Sequence, residues 1–206
     1  MKILLDCSPA KIAAYSARYG YEFGQLRTPL TNYALAPAPV EWAADNGRFK
    51  NLSIAVWRKW VARFDENRER RPLFVTLPDV VGDARRTSEL FEYFKLETNE
   101  LPRALVLQDG IENVHIPWRD LAAVFVGGTD QFKSSRAALA AAQTAKDLGK
   151  LVHLGRVNTA ARVRNWIGIA DSGDGTGMSM YDHMLEDVLA QIRGEHPQQA
   201  LLGATA

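Results

Sequence analysis

Short apolar runs recur along the chain, and each stops at an Asp, Gln, Gly or His. Ile3-Leu4-Leu5 stops at Asp6, and Leu73-Phe74-Val75-Thr76-Leu77-Pro78 at Asp79. Ala104-Leu105-Val106-Leu107 runs into Gln108 and Asp109, Ala123-Val124-Phe125-Val126 into Gly127 and Gly128, and Leu151-Val152 into His153. Between such runs, apolar residues return at roughly helical spacing, as Ile54, Val56, Trp57, Trp60, Val61 and Phe64 do. Strands that alternate with helices predict parallel pairing.

The pattern predicts strands at 3–6, 41–45, 73–77, 104–108, 123–127, 151–154 and 168–171. It predicts helices at 10–19, 53–66, 83–95, 133–148, 158–168 and 180–193. Asp83 suits the N-cap of the third helix, Asn158 or Thr159 that of the fifth, and Gly149 and Gly194 close the fourth and sixth. Residues 20–40 show no clear period, and a stretch of that length reads as a binding loop or lid, with a short strand hidden within 31–37. Seven or eight strand–helix units favour an α/β fold, a compact (β/α)8 TIM-like barrel, with an open parallel sheet as the alternative. Residues 1–194 form the single barrel domain, and 195–206 a flexible C-terminal tail.

Length sharpens that expectation. A barrel of this type typically takes about 250 residues, and this chain has 206, so the barrel should be trimmed. A hydrophobic fraction of 47% suffices for one sizeable core. The formal net charge of +1 argues against a global basic field. Local basic clusters remain at Arg58, Lys59 and Arg63, at Arg68, Arg70 and Arg71, and at Arg156, Arg162 and Arg164. The single cysteine, Cys7, excludes an intramolecular disulfide and a thiolate zinc site, and points to a reducing cytoplasm. No run approaches the roughly 18 apolar residues of a membrane span.

In a parallel barrel, strand ends of one polarity meet on one face, where the chemistry sits. Asp45, Asp79, Gln108, Gly127, Gly128, His153, Asp171 and Asp174 would then share a pocket. Asp45 is either a turn residue before Asn46-Gly47 or a general acid/base. With Asp83 as the better helix cap, Asp79 is released for another task. The Gly127-Gly128 pair lets backbone approach a ligand, or merely makes a tight turn. His153 is either hydrogen-bonded structure or part of the site. The loop Asp171-Ser172-Gly173-Asp174-Gly175-Thr176-Gly177 presents two carboxylates on a glycine-rich backbone. Retaining glycosyl transfer needs a nucleophilic carboxylate and a second carboxyl for acid/base work. Asp174 or Asp171 facing Asp45 would supply that pair, and spacing alone does not choose between them.

Taken in order, these motifs resemble the tRNA-guanine transglycosylase superfamily. Ala44-Asp45-Asn46-Gly47-Arg48-Phe49 resembles its Asp-x-Gly-x-Phe/Tyr segment, and Leu77-Pro78-Asp79-Val80-Val81-Gly82-Asp83-Ala84 its base-recognition Asp segment. Leu107-Gln108-Asp109-Gly110 is similar to the Val-Gln-Gly-Gly stretch, and Val126-Gly127-Gly128-Thr129 to the Gly-Gly-Leu loop. His153-Leu154-Gly155 and Ala170-Asp171-Ser172-Gly173-Asp174-Gly175-Thr176 resemble the segments that lead to the nucleophile. The resemblance spans about residues 41 to 177 and is nearest to the short phage and bacterial members that insert 7-deazaguanines into DNA. Two features depart from the tRNA enzymes, which are longer and carry a zinc site of three cysteines and a histidine.

The resemblance implies a cofactor-free, metal-free base exchange in a bacterial or phage-infected cytoplasm. Guanine in DNA, or alternatively in tRNA, would be replaced by a free base such as 7-cyano-7-deazaguanine. It implies Asp174 as nucleophile and Asp45 as acid/base. Asp79, Gln108, Gly127, Gly128, the Thr129 backbone and His153 would serve base binding. Arg156, Arg162 and Arg164 are candidate phosphate contacts, and Tyr33, Phe49 and Trp118 candidate stacking residues. Asp109 stands where the family has Gly. A nucleoside glycosidase and a non-catalytic nucleic-acid-binding module are the rival readings, and a protein partner is left open.

Overall fold

The computed structural model describes residues 1–47, 53–64, 70–98 and 100–195. Phe49, Arg68 and the tail beyond 195 lie outside them. Eight strands pair in chain order, all parallel: β1 (Lys2–Leu5), β2 (Gly24–Arg27), β3 (Trp42–Ala44), β4 (Val75–Thr76), β5 (Arg103–Leu107), β6 (Ala123–Val126), β7 (Leu151–Leu154) and β8 (Ser172–Asp174). Strand β8 returns to β1 with Gly173 opposite Ile3, which closes the barrel and rules out the open sheet.

Side chains alternate across each strand, so both faces of the barrel wall must be apolar. Leu4, Leu26, Ala43, Phe74, Ala104 and Ala123 pack inside it. Their neighbours Ile3, Leu5, Trp42, Val75, Leu105 and Val124 face outward against the helices. This two-sided burial explains why β5 and β6 read as unbroken apolar runs.

The helices are α1 (Pro9–Tyr19), α2 (Ile54–Val61), α3 (Ala84–Phe94), α4 (Asp130–Lys133), α5 (Arg136–Asp147), α6 (Ala160–Arg164), α7 (Thr176–Met180) and α8 (Asp182–Arg193). Their ends are written in the sequence. Ser8 caps α1 just before Pro9, and Gly20 ends it in the left-handed conformation. Asp83 caps α3 through the Arg86 amide, as predicted, and Thr159 rather than Asn158 caps α6. The helix expected at 133–148 is two, because Ser135 caps α5 afresh. No helix follows β2, and only single 3-10 turns at Ile111–Asn113 and Trp118–Asp120 follow β5. These short crossovers explain how the chain closes a barrel within its length. Among the described residues, no helix is long and apolar enough to cross a membrane.

Two strands differ from expectation. Strand β2 lies at 24–27, not within 31–37. Gly24 lies against Leu4, where a Cβ would collide with the Glu41 carbonyl at 2.9 Å. Gln25 is fully buried, donating to the Cys7 and Ala34 carbonyls and accepting from the Ala36 amide. The final strand is Ser172–Asp174, not 168–171. Gly168, at φ 86°, is instead part of the turns after α6.

Candidate functional site

All eight strands deliver residues to one cavity of about 200 Å³ at their C-terminal ends. Asp6 follows β1, Thr28 and Leu30 follow β2, Asp45 to Gly47 follow β3, and Asp79 and Val81 follow β4. Gln108, then Gly127 and Gly128, then Arg156, and finally Asp174 to Thr176 follow β5 to β8. Phe125, Leu26 and Val106 supply apolar wall.

Asp45 sits at the rim of this wall with Thr76 donating to its Oδ1 at 3.3 Å. Desolvation first, then the negative charges of Asp174 and Asp79, push its carboxyl up to about 7. Such a group is poised to carry a proton near neutral pH. Asp79 is 6% exposed and held at both oxygens: Asn46 Nδ2 donates to one at 2.9 Å and Gln108 Nε2 to the other at 2.5 Å. Gln108 is oriented in turn, because its Oε1 accepts from the Gly82 amide at 2.9 Å. The amide and carboxylate are therefore locked together as a polar pair on the cavity wall.

Asp174 is fixed from three directions. His153 Nε2 lies 3.1 Å from its Oδ1, the Arg156 amide donates to the same oxygen at 3.2 Å, and the Val157 amide donates to its carbonyl at 2.5 Å. Arg156 is the one non-glycine with positive φ (58°) among the described residues, a left-handed backbone that costs roughly 1 kcal/mol or more. Its guanidinium donates to the Gly128 carbonyl at 2.6 Å and stays on the cavity wall. Arg162 donates to the Arg156 carbonyl and pairs with Asp130. Beside them Lys133 is buried, and its amine falls to about 8 through burial and the Arg156 and Arg162 charges. Arg156 thus puts a cation on the cavity wall beside Asp174, with Arg162 and Lys133 behind it.

The structure brings Asp45, Asp79, Gln108, Gly127, Gly128, Arg156 and Asp174 together, and places five other candidates off the cavity wall, Arg162 among them. Asp171 lies at the start of β8, the far end of the barrel. Its carboxylate pairs with Lys146 at 3.2 Å and accepts from the buried Val152 amide at 2.8 Å. Thr129 gives its amide and hydroxyl to Asp109, at 3.0 and 2.6 Å, and caps α4. Desolvation raises the Asp109 carboxyl, but these hydrogen bonds together with one from its own backbone outweigh it and the net shift is downward. The odd residue of the Gln108-Asp109 pair thereby ties the ends of β5 and β6. His153 is fully buried between Phe74 and Phe125, whose ring centroids lie 5.0 and 4.7 Å away, so it lies behind the cavity wall. Arg164 is exposed and is not among the cavity-lining residues.

Of the stacking candidates, Trp118 packs against the core in the β5–β6 link, and Tyr33 is 45% exposed outside the cavity. Sequence reasoning passed over Asp6, Thr28 and Leu30. Asp6 did carry a signal, since it ends an apolar run as the other strand-end residues do.

The position of Asp171 makes a prediction. Asp171→Ala removes an ion pair and the acceptor of a buried amide, so it should cost about 1–3 kcal/mol. A lower thermal midpoint with an unchanged rate in the assay described below is the expected result.

No protein-family model matches this chain, and no curated protein does.

Proposed function

We propose that the protein is a base-exchange transglycosylase that replaces guanine in DNA with a 7-deazaguanine. The observation that carries this reading is the pair Asp45 and Asp174 on one small cavity, one carboxyl pushed up to about 7 and the other clamped through a single oxygen. The motif order set out above supplies the substrate class.

In the first half of the reaction, an Asp174 oxygen bonds to C1′ as the C1′–N9 bond breaks. The electron pair leaves with N9, which takes the Asp45 proton. In the second half, an incoming 7-deazaguanine gives its N9 proton to the Asp45 carboxylate. N9 then bonds to C1′ and the bond to Asp174 breaks, so the configuration is retained through two inversions. The Asp79–Gln108 pair offers a carboxylate acceptor and an amide to the polar edge of the base. The cavity is small beside ordinary ligand pockets of roughly 300–1,000 Å³, which suits one base at a time and departure before entry. A guanine in duplex DNA must leave the stack to reach it. The anionic backbone then stays at the mouth, where the Arg156 side is cationic and the carboxylate wall repels it.

The test incubates the protein with DNA, and separately tRNA, carrying labelled guanine, together with unlabelled 7-cyano-7-deazaguanine. Nucleoside mass spectrometry follows. Label release with a deazaguanine nucleoside in DNA is the expected result. Incorporation in tRNA alone would reverse the choice of polymer, and release without incorporation would make the enzyme a glycosidase.

The pH dependence follows from Asp45. Single-turnover guanine release needs its proton, so the rate should be flat below about pH 7 and fall about tenfold per pH unit above it. The return step needs the carboxylate and should fall on the acid side. A release rate that climbs steadily to pH 9 would remove Asp45 as the acid.

A further inference from the structure

The carboxylate of Asp174 is not symmetrically held. Oδ1 receives both the His153 ring nitrogen, at 3.1 Å, and the Arg156 amide, at 3.2 Å. Among the described residues no hydrogen bond reaches Oδ2, while Asp174 lines the cavity with its side chain 15% exposed. His153 lies wholly behind the wall, wedged between Phe74 and Phe125, and its Nδ1 is 2.8 Å from the Ser172 hydroxyl. A carboxylate oxygen only accepts, so Nε2 must carry the hydrogen. In the neutral ring the Ser172 hydroxyl then donates to Nδ1. Ser172 and Asp174 both point into the barrel from β8, two residues apart, and the ring bridges them from β7, where His153 pairs with Ser172 in register.

We propose that His153 is a positioning residue: with the Arg156 amide it occupies Oδ1 of Asp174, leaves Oδ2 as the attacking oxygen, and holds the charge that returns to the carboxylate when the glycosyl ester breaks. The proposal rests on the transglycosylase reading for its chemistry. When Oδ2 bonds to C1′, Oδ1 becomes the carbonyl oxygen of the ester. When the C1′–Oδ2 bond breaks, its electron pair returns to the carboxylate and spreads onto Oδ1, where two donors already wait. Donors placed in advance at a developing charge need no reorganisation. This also gives the left-handed backbone of Arg156 a purpose, since that residue supplies one donor through its amide while its side chain binds the Gly128 carbonyl.

Two measurements test it. The first does not depend on activity: ¹⁵N shifts of the histidine rings, with His153→Gln used to assign the signal, report the tautomer. An Nε2–H ring is expected, and an Nδ1–H ring would overturn the proposal. The second compares His153→Leu with His153→Gln, whose amide can replace the Nε2 donor. Removing a donor of this kind typically costs 10²–10³ in rate. The Leu variant should therefore lose about 100-fold in kcat with KM little changed, and the Gln variant should recover most of it. Equal losses in both, or a change confined to KM, would sink the idea. Should the Leu variant not fold, Ser172→Ala replaces it, with an expected fall of about tenfold in kcat. A wild-type protein that exchanges no base would overturn the transglycosylase reading, and the tautomer would still decide the clamp.

Discussion

Asp174→Asn should reduce guanine release to the background rate while the protein still folds and still binds DNA. The amide keeps the shape of the carboxylate, but its oxygen is a poor nucleophile and its nitrogen cannot accept. Removing a group that forms the covalent bond commonly costs many orders of magnitude, about 10⁶ in the most studied triads. The loss should appear in the first half-reaction, before any deazaguanine is added. Denaturing the wild-type enzyme during turnover should trap a covalent adduct on the peptide that contains Asp174, and the variant should give none. An Asp174→Asn protein that exchanges guanine within tenfold of wild type would move the chemistry to another residue, with Asp6 and Asp79 the carboxylates on the cavity wall besides Asp45. Asp171 is unsuited to inherit the role, because its carboxylate is spent on Lys146 and the Val152 amide at the other end of the barrel.

The second large effect combines rate and stability at Asp45. Asp45→Asn removes the proton carrier, and such groups contribute typically 10²–10⁴ in rate. Stability should move the other way. The folded carboxyl holds its proton to about pH 7, whereas in the unfolded chain it ionises near its ordinary value of 3.8. Between these values the native state binds more protons, so the cost of ionising Asp45 accumulates and stability falls as pH rises. One pKa unit corresponds to about 1.4 kcal/mol, and screening at the partly exposed cavity rim lowers the full amount to about 1–3 kcal/mol. At pH 8 the Asn variant should therefore melt above wild type by several degrees, and at pH 4 the two should converge. Thermal melts at those two values decide it. A variant that is inactive and also less stable at pH 8 would show that Asp45 is held by interactions that offset its burial, contrary to its shift.

Much of the barrel was legible because both faces of its wall are buried. Strands β5, β6 and β7 declare themselves as apolar runs, and the helix caps Asp83 and Thr159 are local signals that tertiary contacts left in place. The convergence of Asp45, Asp79, Gln108, Gly127, Gly128 and Asp174 was legible for the same reason. Once strands are parallel, the residues after them must meet at one face.

What escaped the sequence are the places where a strand is built from residues that do not look like one. Gly24-Gln25-Leu26-Arg27 becomes β2 because Leu4 leaves no room for a side chain at 24, and because Gln25 finds three backbone partners, one after β1 and two in the loop after β2 itself. Ser172-Gly173-Asp174 becomes β8 because Ser172 and Asp174 both reach His153 on the neighbouring strand β7. The choice between Asp171 and Asp174 is of the same kind. Three residues apart in a glycine-rich loop, they look equivalent along the chain. Alternation and strand polarity separate them, sending one carboxylate to a lysine at the barrel's base and the other to the cavity. Sequence by itself determined the fold class and the order of the strand-end groups, since these follow from local apolar pattern. Only the tertiary structure decided which carboxylates share the cavity and which histidine nitrogen meets Asp174, because those depend on register between segments far apart in the chain.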